Sequence, residues 1–167
     1  MIKTLLLVRH SKPESRISNL KDYDRSLTKE GISDSKKMAV HLLESGIIPD
    51  YIVTSSANRA IETAYCFAEI MKVSEGKVIS SRNFYYGSPH TILDEVLLLP
   101  DEADCLLVIA HNPGISELSR ILSSGKSSFM NNTQVSIFVF ETEKWSMIEK
   151  VKPIAFKSVE LEDLDKL

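Results

Sequence analysis

Two stretches of this chain pass from apolar to polar in the same way: LLLVRHSKPES at residues 5–15 and LLVIAHNPG at residues 106–114. Each is an unbroken apolar run that ends on a histidine. Runs without alternation predict strands of a parallel sheet covered on both faces, and the pattern places strands near residues 3–9, 50–54, 77–80 and 105–110. Between them, apolar residues recur at helical spacing. Thr28 is placed as an N-cap, with Leu27 and Ile32 set for a hydrophobic staple; Ile32, Ala39, Leu42 and Leu43 follow, and Gly46 ends the helix. Ser55 or Ser56 is the expected cap of a second helix, with Ala60, Ile61, Ala64, Phe67, Ala68 and Met71 on its apolar face. Ser88 before Pro89 opens a third helix that Pro100 stops. Asn112 and Pro113 repeat that start for a fourth, carrying Ile115, Leu118, Ile121 and Leu122. From Gln134 the rhythm becomes alternation, QVSIFVFE and then WSMIEKV, which predicts a closing antiparallel pair at a sheet edge. Residues 158–167 are acidic with leucines at helix-like spacing, and read as a docking helix or a frayed tail. The expectation is one α/β domain over residues 1–167, with a mostly parallel central sheet and an antiparallel edge.

Composition narrows the function classes. The chain has 167 residues, 43% hydrophobic and 26% charged, with a formal net charge of -3 and no basic stripe. Nucleic acid and a membrane surface are therefore not expected as partners. The apolar run at residues 5–8 is too short for a signal peptide or a membrane span, so a cytoplasmic location is expected. Cys66 and Cys105 form no CxxC or zinc pattern and read as buried free thiols.

In an open α/β sheet, ligands bind beyond the carboxyl ends of the parallel strands. The first strand ends in Arg9 and His10, the second leads to Arg59 in the opening turn of a helix, and the fourth leads to His111. His41 and His90 fall within helices and read as non-catalytic. Two arginines beside two histidines would repel a metal such as zinc, and no metal or other cofactor is expected. A guanidinium does suit an anion with several oxygens, since its planar fork of donors matches phosphate. The chain contains neither GxxxxGK[ST] nor GxGxxG, which argues against the usual nucleotide cradles. With phosphate in place, a neutral histidine can attack phosphorus, giving a phosphohistidine that water then cleaves.

These residues resemble the histidine phosphatase superfamily, whose mark is Arg-His-Gly at the end of the first strand; here the triplet is Arg9, His10, Ser11. DYDRSLTKEG at 22–31, TSSANRAIETA at 54–64 and IAHNPGI at 109–115 are similar in type, order and spacing to its small SixA-type branch of phosphohistidine phosphatases. The resemblance implies a three-layer α/β/α sandwich of the phosphoglycerate mutase type. It implies His10 as the phosphorylated nucleophile, with Arg9, Arg59 and His111 forming the phosphate pocket. Arg25 is a further candidate for that pocket, with a structural role as its alternative. Larger members carry a Glu or Asp general acid between the second and fourth strand segments, but SSRNFYYGSPH at 80–90 contains no acid. Glu14, Asp22 and Asp24, in the loop at 11–26, are the candidate donors in its place. A missing donor favours leaving groups that depart unaided, from an N–P bond or an aryl or acyl phosphate. The expected function is a metal-independent phosphatase acting on a phosphohistidine protein or a small phosphoester. The alternatives are a phosphoglycerate-mutase-like isomerase and a non-catalytic phospho-ligand binding module.

Overall fold

The computed structural model describes residues 1–165, so the last two residues of the acidic terminal segment lie outside the described residues. Six strands, β1 (Ile2–Arg9), β2 (Tyr51–Ser55), β3 (Val78–Ser81), β4 (Cys105–Ala110), β5 (Val135–Glu141) and β6 (Ala155–Val159), form one sheet in the order β3-β2-β4-β1-β5-β6. The first four run parallel; β5 pairs antiparallel with β1, and β6 antiparallel with β5.

The unbroken apolar runs have a direct cause. Successive side chains of a strand point to opposite faces. Leu5, Leu7, Leu106 and Val108 pack with Ile92, Val96, Ile115 and Leu118, from helices α3 (Pro89–Leu97) and α4 (Gly114–Leu122). Leu6, Val8, Leu107 and Ile109 pack on the other side with Met38, Leu42, Ala64 and Phe67, from α1 (Lys29–Glu44) and α2 (Asn58–Met71). The result is the expected three-layer α/β/α sandwich, and both faces of β1 and β4 are dry. A short α5 (Leu161–Leu164) lays Leu161 and Leu164 against the α1–α2 side. Among the described residues no helix is long and apolar enough to cross a membrane.

Most local signals act as expected. The Thr28 hydroxyl accepts from the Gly31 N–H at 2.9 Å, and Ser88 accepts from Thr91 N–H at 3.2 Å. Gly46, at φ +80°, ends α1 in the left-handed conformation. Ile32, by contrast, lies on the exposed flank of α1 while Leu27 is buried. Three further expectations are corrected. The cap position of α2 belongs to Ala57, because the Ser55 hydroxyl is engaged by the Ala57 N–H and by His111. Pro113 occupies the cap position of α4 with no side-chain bond, because the Asn112 amide turns aside to the Met130 carbonyl at 2.8 Å. WSMIEKV is not the edge strand. Trp145 is fully buried, its indole N–H donating to the Ala103 carbonyl at 2.8 Å, so this segment forms a 3₁₀ turn and the edge falls to β6.

The start of α4 also sets a spacing that the site depends on. A Cβ added at Gly114 would collide with the Gly87 carbonyl, so only glycine lets α4 approach the loop after β3 this closely. Gly114→Ala is expected to destabilise the fold by about 1–3 kcal/mol, the usual cost of overpacking. Urea unfolding checks this, and an unchanged midpoint would show that the loop at 85–88 yields freely.

Candidate active site

Parallel pairing brings the carboxyl ends of β1, β2 and β4 to one edge, and with them His10, Arg59 and His111. His10 is 6% exposed and His111 8%, and their ring centroids lie 5.0 Å apart. The His10 Nδ1 is 2.8 Å from the Ser11 carbonyl oxygen. A carbonyl only accepts, so Nδ1 carries the proton and Nε2 keeps its lone pair. That lone pair faces the Arg59 Nε at 3.3 Å. Burial pushes the His10 imidazole down to about 3; the Ser11 hydrogen bond opposes this, and the charges of His111, Arg59 and Arg9 add to it. His10 is therefore a neutral base with a fixed tautomer.

His111 is arranged the other way round. Its Nε2 lies 2.7 Å from the Ser55 hydroxyl, which has one proton to donate and, after the bond from Ala57 N–H, one lone pair left to accept with. When Ser55 donates, the proton of His111 sits on Nδ1, a buried atom with no hydrogen-bond partner among the described residues. Burial and then Arg59 push this imidazole down to about 3 as well. Arg9 donates from Nη1 to the Met130 carbonyl at 3.1 Å and leaves its buried Nε unpartnered. In that tautomer Arg9 Nε and His111 Nδ1 are N–H donors with no protein acceptor among the described residues, on side chains whose charges both act on His10, a donor set that fits the oxygens of a phosphoryl group.

Arg59 is 6% exposed and is held on its outer edge by Asp22, whose carbonyl accepts from Nη1 at 2.8 Å and whose carboxylate accepts from Nη2 at 3.1 Å. The same carboxylate accepts from Arg25 Nε at 3.0 Å and from the Tyr85 hydroxyl at 2.6 Å. Burial alone would raise the Asp22 pKa, but the Tyr85 hydrogen bond and the Arg59 and Arg25 guanidinium groups outweigh it and hold the carboxyl well below the ordinary range. Asp22 is thus an ion-pair centre and a poor proton donor, contrary to its place among the candidate acids. Arg25 is bound to Asp22 and to the Glu14 carbonyl at 3.0 Å, so it braces the loop rather than offering a free fork to the pocket. Glu14 and Asp24 are exposed on that loop. The sequence reading missed Tyr85, whose ring stands edge-on to His111 at 5.5 Å and lies 5.8 Å from the Arg59 guanidinium carbon. It also missed Ser55, seen only as a helix cap.

The family model of the histidine phosphatase superfamily (branch 1) matches residues 5–81. The solved structure of the protein histidine phosphatase SixA complexed with tungstate superposes with a TM-score of 0.81, covering 96% of this chain and 99% of that one at 17% identity. The first half of the chain is thus similar to the histidine phosphatase superfamily, and the fold over nearly its whole length is shared with SixA. Curated relatives are matched over only part of their length. An uncharacterized chloroplastic protein of Arabidopsis thaliana is 29% identical over 129 residues, 72% of this chain and 59% of that protein. A 2,3-bisphosphoglycerate-dependent phosphoglycerate mutase of Nocardia farcinica is 41% identical over 66 residues, 38% of this chain and 27% of the mutase.

Where the superfamily triplet has glycine, Ser11 is accommodated by pointing away from the pocket. Its hydroxyl sits 2.6 Å from that of Ser35 and accepts from Thr133 at 2.7 Å, while its N–H donates to Thr63 at 3.0 Å. Ser11→Ala should strip buried hydroxyls of a partner and cost about 1–3 kcal/mol, measurable as a lower urea midpoint; no change would mean that Ser35 and Thr133 re-pair.

The histidines also set an acid response. Folded, both stay neutral down to about 3; unfolded, they titrate near 6.5. Between these values the unfolded chain binds more protons, so stability rises with pH across that window. Asp22, with its depressed pKa, contributes stability above its ordinary 3.8 that is lost only below it. The melting temperature should therefore fall as pH drops from 6.5 toward 3.8. A His10→Asn/His111→Asn protein should respond more weakly, and an equally steep fall in it would place the acid sensitivity elsewhere.

Proposed function

We propose that this chain is a metal-independent phosphatase that passes the phosphoryl group through His10 and acts on a phosphorylated protein side chain of the phosphohistidine kind. The observation that carries this reading is the His10 tautomer: a neutral imidazole with Nδ1–H held by the Ser11 carbonyl and an Nε2 lone pair that accepts a long 3.3 Å hydrogen bond from Arg59 Nε. In the first step Nε2 bonds to phosphorus as the bond to the leaving nitrogen or oxygen breaks. The positive charge on the imidazole is eased by the Ser11 carbonyl, and charge on the equatorial oxygens by Arg9 Nε, His111 Nδ1 and the inward N–H groups of Arg59. Water then attacks phosphorus, the N–P bond breaks, and inorganic phosphate leaves with the proton passing to solvent.

Proton supply points to the substrate. Asp22 stays ionised, Glu14 and Asp24 face solvent, and burial with the Asp22 hydrogen bond pushes the Tyr85 hydroxyl up to about 12. An alkoxide would leave slowly here, whereas an imidazole or a phenolate departs readily. The isomerase reading needs a retained acid beside the leaving oxygen and is weakened by the same observation. A protein substrate is supported by exposed apolar side chains around the mouth: Ile17 and Leu20 on the loop, Tyr86 beside Tyr85, and Phe129 over Arg9. A cytoplasmic location belongs to the same proposal, since Cys66 and Cys105 are free thiols suited to a reducing compartment.

Rapid-quench mass spectrometry with p-nitrophenyl phosphate in chelator is expected to show an acid-labile adduct on His10 that decays with phosphate release; His10→Ala should give neither. Vanadate binding without adduct or release would make the chain a phospho-ligand binding module. Arg59→Ala should weaken vanadate binding at least about tenfold, the worth of a charge-assisted hydrogen bond. Normal affinity in that variant would remove Arg59 from the pocket.

A further inference from the structure

A hollow of about 570 Å³ opens on the far side of Tyr85 from His111, lined by Lys21, Tyr23, Asp24, Arg82, Tyr85 and Tyr86. Two 3₁₀ turns build it, Asp22–Asp24 in the loop after β1 and Arg82–Phe84 after β3. Both turns are held fast. The Tyr85 hydroxyl joins them through Asp22 at 2.6 Å, and Glu95 accepts from Ser81 at 2.7 Å and from Asn83 at 2.8 Å. The Tyr23 ring stands edge-on to Tyr85 at 5.0 Å, and Tyr86 lies against it at 4.3 Å.

The charges in this hollow are not used by the fold. Among the described residues neither Lys21 nor Arg82 has a side-chain ion pair, although both stand on a rigid frame. Asp24 is the one carboxylate in the lining, so cations outnumber acids there. The groove on the other side of the tyrosines, lined by the neutral His111 itself, has the opposite character: Glu117 is the one charged residue in its lining. The walls beside the phosphate pocket therefore differ in sign, and they set an orientation for whatever carries the phosphoryl group.

We infer that the hollow formed by Lys21, Arg82 and the tyrosines is a subsite for a second oxyanion, a carboxylate or phosphate borne by the phosphorylated substrate itself. This rests on the phosphatase reading above. The oxyanion can come from an acidic residue of a protein substrate or from a second phosphate on a small molecule. Substrate pairs separate the two: phosphotyrosine peptides flanked by Glu or by Gln, and fructose 1,6-bisphosphate against fructose 6-phosphate, with p-nitrophenyl phosphate as the reference.

With a protein source, kcat/KM should favour the Glu-flanked peptide about fivefold at low salt, the effect of a modest exposed ion pair. The Lys21→Glu/Arg82→Glu protein should reverse that order. With a small-molecule source, the bisphosphate should be preferred instead, and the double variant should lose that preference. An unchanged order in the double variant, or no preference in either pair, overturns the subsite. If nothing is hydrolysed, including p-nitrophenyl phosphate, the phosphatase reading fails. Calorimetric affinities for the same pairs then decide the subsite by the same ratios.

Discussion

One hydrogen bond organises the site, that from His10 Nδ1 to the Ser11 carbonyl at 2.8 Å. It joins a residue to its own neighbour, and in a flexible loop it would fix little. Here the Ser11 peptide is held from three sides: its N–H by Thr63, its hydroxyl by Ser35 and Thr133, and the adjoining His10 carbonyl by the Asn132 amide at 3.0 Å. These partners come from α2, α1 and the segment before β5. The protonation pattern of one ring thus reports the packing of three separate parts of the chain.

The sheet makes that convergence possible. Because β1 and β4 are covered on both faces, their stretches at residues 5–8 and 106–110 are apolar throughout, and polar residues follow where the strands leave the core. Arg9, His10 and His111 stand at that boundary, buried enough to lose their hydration yet next to the loops that bring partners. A similar economy appears at the Met130 carbonyl, which accepts from both Arg9 and Asn112, while the Met130 N–H donates to Ser116 at 2.9 Å. Backbone, rather than another charged side chain, holds the guanidinium in place.

Most of this plan was legible in the sequence, and the exceptions share a physical origin. Arg9, His10, Arg59 and His111 could be placed because each follows an apolar run or opens a helix, which are local signals. Tyr85 could not, since its partner Asp22 lies 63 residues away and nothing around FYYG marks the connection. Asp22 looked like a spare acid because its ionisation depends on guanidinium groups that only the fold brings near. WSMIEKV alternates well enough for a strand, but burial of the Trp145 indole outweighs that periodicity. Ser55 matched a helix cap in type and position, and only the approach of β4 to β2 reveals its bond to His111.

The Asp22 carboxylate joins the loop after β1 to the pocket floor, since the same group holds Arg59, Arg25 and Tyr85. Order in that loop and the grip of Arg59 on the proposed phosphoryl group are therefore reciprocal quantities: whatever tightens Arg59 steadies the loop, and whatever loosens the loop relaxes Arg59. Under the proposed phosphatase activity, substitutions in the loop that retune which molecules are admitted also shift the chemistry beneath them, so selectivity and rate are constrained to evolve together.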